Sequence, residues 1–173
     1  MPVNNTLLRF IALLLGLWTA AAVNAQPDAN AATYRGAYFE VQYPAAFKAS
    51  PLEGAKPRES KGATFTSPDG TMTFYLFSPQ WAGEAPGIAL DASRETEISR
   101  KSDAGKSSGV AGTYTWTTIA AKDKSYTRTY QDFLASDGSI HWVIGIKYRD
   151  DAALQKHKEA YGRFKASLRQ FGD

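Results

Sequence analysis

The sequence predicts an α+β protein, an α/β/α sandwich in which a central antiparallel β-sheet is flanked by helices. Three observations carry that expectation. Residues 112–148 read GTYTWTTIAAKDKSYTRTYQDFLASDGSIHWVIGIKY and hold three runs, 113–119, 126–133 and 140–148, crowded with Thr, Tyr, Trp and Ile. These residue types suit a pleated, half-buried surface. The pattern then changes period: Leu154, His157, Tyr161, Phe164, Leu168 and Phe171 recur at spacings of three and four, the apolar stripe of a helix over 150–171 that packs on one face. Finally, residues 71–78, TMTFYLFS, put Phe74 and Leu76 on one face and Tyr75 and Phe77 on the other. A strand buried on both faces needs cover on both sides, which the sequence assigns to helices.

Taken in order, residues 1–25 stand apart from the fold. Arg9 is their one charge, 10–23 form the apolar run FIALLLGLWTAAAV, and Val23-Asn24-Ala25 offers small residues where a signal peptidase reads. A membrane span needs about 20 apolar residues, so this segment is expected to be a signal peptide cleaved before Gln26. It leaves 26–173 as a single globular domain, periplasmic or secreted, with no stable membrane insertion after cleavage. Residues 26–33 read as a flexible lead-in. Residues 36–43, GAYFEVQY, alternate Phe39, Val41 and Tyr43 with Glu40 and Gln42, a strand with one wet face that Pro44 ends, since proline cannot donate to a ladder. Phe47 is expected in the core. Residues 48–61 read as loop, and 62–67 with 71–78 as a hairpin around Pro68-Asp69-Gly70. Loop 79–87, PQWAGEAPG, carries Trp81. Residues 88–100 read as a helix and 101–109 as a hydrophilic, flexible connection. In the meander, 135–139 (ASDGS) turns through Gly138, which can take φ > 0, and 121–124 makes the other turn. Asp150 or Asp151 caps the last helix, and Lys165 and Arg169 suit the negative end of its dipole.

Composition narrows the class. The hydrophobic fraction is 43% and the aromatic fraction 13%, as a packed globule requires. No cysteine is present, so no disulfide holds the fold and the signal is not of the lipoprotein type. The formal charge of +3, or +2 without Arg9, is a slight excess spread among interspersed acids and bases. That is no nucleic-acid footprint.

No catalytic constellation stands out. His141 and His157 are the only histidines; His157 falls on the helical stripe and reads as a core residue, and His141 stands beside Trp142. The Gly-x-Ser-x-Gly match at 105–109, GKSSG, lies in the hydrophilic connection and not at the strand-to-helix turn that a nucleophile elbow needs, and a phosphate-cradling Gly-rich loop is absent. Two isolated histidines and no cysteine do not make a zinc site, so no metal and no cofactor are expected. Asp69, Asp123 and Asp137 read as turn formers, because Asp closes turns onto its own backbone. Trp81 is the candidate partner-binding residue, since an aromatic in a Gly/Pro loop can anchor a partner. Trp116 and Trp142 read as core.

The chain resembles the PsbP-like family, whose members include an extrinsic subunit of the plant photosystem and many small exported bacterial proteins. The matching features are a strand ending in Tyr43-Pro44-Ala45-Ala46-Phe47, the Ser67-Pro68-Asp69-Gly70 hairpin, the strand end Lys147-Tyr148, and the helix close YGRFKASL at 161–168. The resemblance covers roughly residues 38–168. It implies an antiparallel sheet between helices and a non-enzymatic accessory role in a protein complex. Nothing in the sequence points to a photosynthetic partner.

Two functions follow as expectations. The first is a non-catalytic exported accessory or binding protein that acts on an unidentified envelope protein through Trp81. The alternative is a small hydrolase or ligand-binding protein using His141 with a nearby acid. A deep pocket holding His141 and an acid favours the alternative; a convex body with an exposed Trp81 loop favours the first.

Overall fold

The computed structural model describes residues 30–171, so the expected signal peptide at 1–25 lies outside the described residues. Chain order gives β1 (Ala31–Arg35), β2 (Phe39–Pro44), β3 (Lys48–Pro51), β4 (Gly62–Thr66), β5 (Met72–Phe77), β6 (Glu95–Ser107), β7 (Val110–Ala121), β8 (Thr127–Ala135), β9 (His141–Tyr148), α1 (Asp151–Ala166) and β10 (Arg169–Gln170). Seven strands form one antiparallel sheet in the order β3-β4-β5-β9-β8-β7-β6, and three form a smaller sheet in the order β1-β2-β10.

Register sorts the large sheet into two faces. Phe65, Phe74 and Ile146 stand in one row, and Tyr75, Gly145 and Tyr130 in another of opposite parity. The first face carries the main core. Phe39 and Val41 of β2, together with Phe164 of α1, close over Phe65, Phe74, Ile144 and Ile146. Phe164 is 1% exposed, with ring centroids 5.3 Å from Phe65 and 5.1 Å from Phe74. Phe47 joins this core as expected.

The second face departs from expectation. Tyr75, Phe77, Tyr130 and Val143 form a smaller apolar patch, covered by Leu52, Ala85 and Ile88 from irregular segments. Residues 78–94 cross it as a strap. The α/β/α sandwich is therefore overturned: the described residues hold one α-helix, and it lies on one face only. Strand β5 is buried on both faces as its pattern predicts, but a patch of four side chains is small enough for a strap to cover.

Other local expectations change with it, beginning with the segment 48–61 read as loop, whose first four residues are β3 paired with β4. The helix assigned to 88–100 is instead the end of the strap followed by β6, and the flexible connection at 101–109 is the rest of β6 with its turn into β7. Strand β6 is the outer edge of the sheet, and most of its residues are exposed. A strand wet on both faces has no hydrophobic period, so sequence alone cannot find it. Part of the supposed lead-in is β1, held by pairing with β2. Helix α1 stops at Ala166; beyond it Arg169 and Gln170 pair with Glu40 and Phe39.

The turns follow their chemistry. Asp69, Asp123 and Asp137 each accept, through Oδ1, the backbone N–H two residues on, from Thr71 (3.1 Å), Ser125 (2.9 Å) and Ser139 (3.0 Å). Gly70 and Gly138 take φ of 68° and 73°, the left-handed region glycine favours. Asp150 caps α1, its Oδ1 accepting from Ala153 N at 2.8 Å.

Candidate functional site

Trp81 leaves the core at the start of the strap. Ser78 and Pro79 are buried, and from Trp81 to Glu84 the chain is exposed. Trp81 itself is 65% exposed. Three ties fix the strap that carries it. Ala82 N donates to Gly138 O at 3.3 Å. Tyr75 Oη donates to Pro86 O at 2.8 Å. Arg128 reaches Gly87 O through Nη1 and Ala89 O through Nη2, both at 2.8 Å.

Sequence reasoning missed the group that makes the last tie possible. The guanidinium of Arg128 is buried and paired with Glu95, Nη2 to Oε2 at 2.6 Å. Glu95 also accepts from Tyr126 Oη at 2.7 Å and from Asp91 N at 2.9 Å. Burial works to raise the Glu95 carboxyl, but the donors Arg128 and Tyr126 outweigh it and hold it below its ordinary range. Burial pushes the Tyr130 phenol up, opposed by its bond from Arg128. Arg128 and Glu95 join strand to strand and strand to strap, while Arg128 Nε, also buried, has no hydrogen-bond partner among the described residues. Glu95 comes from β6, Arg128 and Tyr130 from β8 and Tyr126 from the residue before β8, and no local motif joins positions so far apart in sequence.

Beside Trp81 the surface dips into a cavity of about 260 Å³. Its lining includes Tyr38, Phe77 and Trp81, the carboxylates Glu53 and Glu84, and Lys61. Glu53 stands at φ 56° in a short helical turn after β3, a left-handed position for a non-glycine residue. Among the described residues neither Glu53 nor Glu84 enters an ion pair.

The structure brings His141 to an acid. His141 Nε2 lies 3.1 Å from Asp132 Oδ1, and its ring meets Phe77 edge to face at 5.7 Å. The residue is 5% exposed, and its buried Nδ1 has no hydrogen-bond partner among the described residues. With Nε2 engaged and Nδ1 sealed from water, neither ring nitrogen is presented to a substrate, and a general base must reach the proton it takes. His157 is partly buried against Phe47, ring centroids 5.3 Å apart, and desolvation lowers its pKa first, helped by Lys156. Trp142 is buried, and Trp116 is half-buried with Lys101 Nζ 5.8 Å from its ring centroid.

Among the described residues no three His, Cys, Asp or Glu side chains gather to hold a metal ion. No described helix is long and apolar enough to cross a membrane. No protein-family model matches the sequence, and no curated protein matches it either. Among solved structures the chain is similar to one from Bacteroides thetaiotaomicron VPI-5482 determined at 1.50 Å, with 15% identity and a TM-score of 0.43 over 83% of this chain and 49% of that one. The chain thus spans about half the length of that structure.

Proposed function

We propose that this protein is a non-catalytic, exported accessory protein that binds a partner protein of the cell envelope through Trp81 and its loop. The observation that carries this reading is the 65% exposure of Trp81 on a strap pinned to the sheet. A large aromatic held outside the core by a rigid scaffold offers binding area at little ordering cost. Export rests on the apolar run at 10–23 and the small residues before Gln26. The PsbP-like resemblance adds the accessory role. The seal around His141 weighs against the hydrolytic alternative.

The test compares Trp81→Ala with His141→Ala in cells that export the protein, by cross-linking in the intact envelope and by melting temperature. Trp81→Ala is expected to keep its melting temperature and lose its cross-linked partner. Truncating a hot-spot tryptophan costs about 2 kcal/mol or more, roughly 30-fold in affinity. A folded His141→Ala protein should keep the partner. Loss of the partner in His141→Ala together with its retention in Trp81→Ala would overturn the reading.

A further inference from the structure

We infer that the cavity beside Trp81 is a receptor for one cationic side chain, lysine or arginine, presented by the partner protein. The inference rests on Trp81 as the partner-binding residue and adds the chemistry that it selects.

Size comes first. A cavity of about 260 Å³ lies below the range of about 300–1,000 Å³ that drug-sized ligands occupy. It has room for one long side chain. The walls set the chemistry. Tyr38, Phe77 and Trp81 line the cavity, and aromatic rings attract a cation through their quadrupoles, tryptophan most strongly. Glu53 and Glu84 line it too, and neither is neutralised by an ion pair among the described residues. Lys61 is the one cation in the lining. Two carboxylates against one ammonium leave one negative charge, on a chain whose overall charge is +3. A bound lysine or arginine supplies the missing charge and lays its methylene stem against the rings, as such amphipathic side chains do.

An anionic side chain would meet two carboxylates at close range. A neutral apolar side chain would fill the space and leave the charge unanswered. The site therefore discriminates by charge as well as by shape, and its affinity should weaken with salt, because Glu53 and Glu84 are exposed.

The experiment uses capped pentapeptides, glycine apart from a central lysine, arginine, norleucine or glutamate. They are titrated into isotope-labelled protein while the Trp81 indole N–H resonance is followed. That resonance is assigned with Trp81→Phe. The lysine and arginine peptides are expected to shift it and to bind at least tenfold more tightly than norleucine, with the glutamate peptide weakest. The double variant Glu53→Gln with Glu84→Gln should keep its melting temperature and lose the preference for cations over norleucine.

Equal binding of norleucine and lysine overturns the inference. So does a preference that survives the double variant, or the absence of any shift with either basic peptide. These outcomes separate from failure of the broader reading. If envelope cross-linking still requires Trp81 while the basic peptides show no preference, Trp81 remains the contact residue and the cationic selectivity falls. If cross-linking does not require Trp81, the broader reading falls, whatever the peptides do.

Discussion

Arg128 Nη2 lies 2.6 Å from Glu95 Oε2, with the two side chains only 7% and 4% exposed. The pair ties the start of β6 to β8, and Arg128 extends the tie to two strap carbonyls. Removing one partner of a buried pair leaves an uncompensated charge, at a cost of about 3–5 kcal/mol. Glu95→Gln is therefore expected to lower the melting temperature markedly and to speed hydrogen exchange and proteolysis within residues 79–94. An unchanged melting temperature would show that the pair is not what holds the strap.

Gly145 stands between Tyr75 and Tyr130 in the register, and those two rings meet edge to face at 5.5 Å. A Cβ at Gly145 would overlap the Tyr130 ring and press on the Thr129 carbonyl oxygen. Overpacking of this kind costs about 1–3 kcal/mol. Gly145→Ala should destabilise the protein by that amount in denaturant titration, whereas Gly162→Ala, whose added Cβ meets nothing within 4 Å, should be neutral or slightly stabilising in its helix.

Phe164 anchors α1 to the sheet, and Lys165 beside it is exposed. Phe164→Ala should cost about 3–5 kcal/mol through lost burial and the cavity left behind. Lys165→Ala should stay within about 0.5 kcal/mol, as surface changes do. Equal melting shifts for the two would remove the helix from the core.

His157 makes stability depend on pH. Its folded pKa is lowered, chiefly by desolvation, so the unfolded chain takes up the proton first. The neutral ring's contribution is fully present above the unfolded pKa of about 6.5 and is lost as pH falls from there through the folded value. Wild-type protein should lose melting temperature between pH 7 and pH 5, and His157→Leu should lose less over that interval. Parallel profiles would refute the assignment.

These elements differ in how plainly the sequence announces them. Strands β7, β8 and β9, the hairpin β4–β5 and the capped helix all carry local signals: period-two alternation, an Asp-Gly turn, a stripe of spacing three and four. Strand β6 carries none, because its order comes from pairing with β7 while both its faces stay wet. Ile98, 61% exposed, sits where the β6–β7 register shifts, and a bulge is invisible to alternation. The cover on the second face is hidden from the sequence for a related reason. Burial of Tyr75 and Phe77 requires something above them but does not say what, and Ala85 and Ile88 give no period. Trp81 was legible as the aromatic with no place in any period. The rest of its cavity was not, since Tyr38, Glu53 and Lys61 reach it from separate turns of the chain.

Strand β2 finds one neighbour immediately before it and the other at the far end of the chain, where Arg169 and Gln170 pair with Glu40 and Phe39. Strand β5 likewise waits for β9. The meander from β6 to β9 can assemble from neighbours in sequence, but the large sheet is joined to β5 only when β9 is in place, and the small sheet is completed only by β10. Loop closure across such separations carries entropy that is recovered late, so folding should be slow and governed by these two pairings. During that interval β2 and β5 present bare edges. The chain is thus most open to wrong strand partners before β9 and β10 have paired, and the order in which distant strands meet matters as much to its fate as the stability of the finished structure.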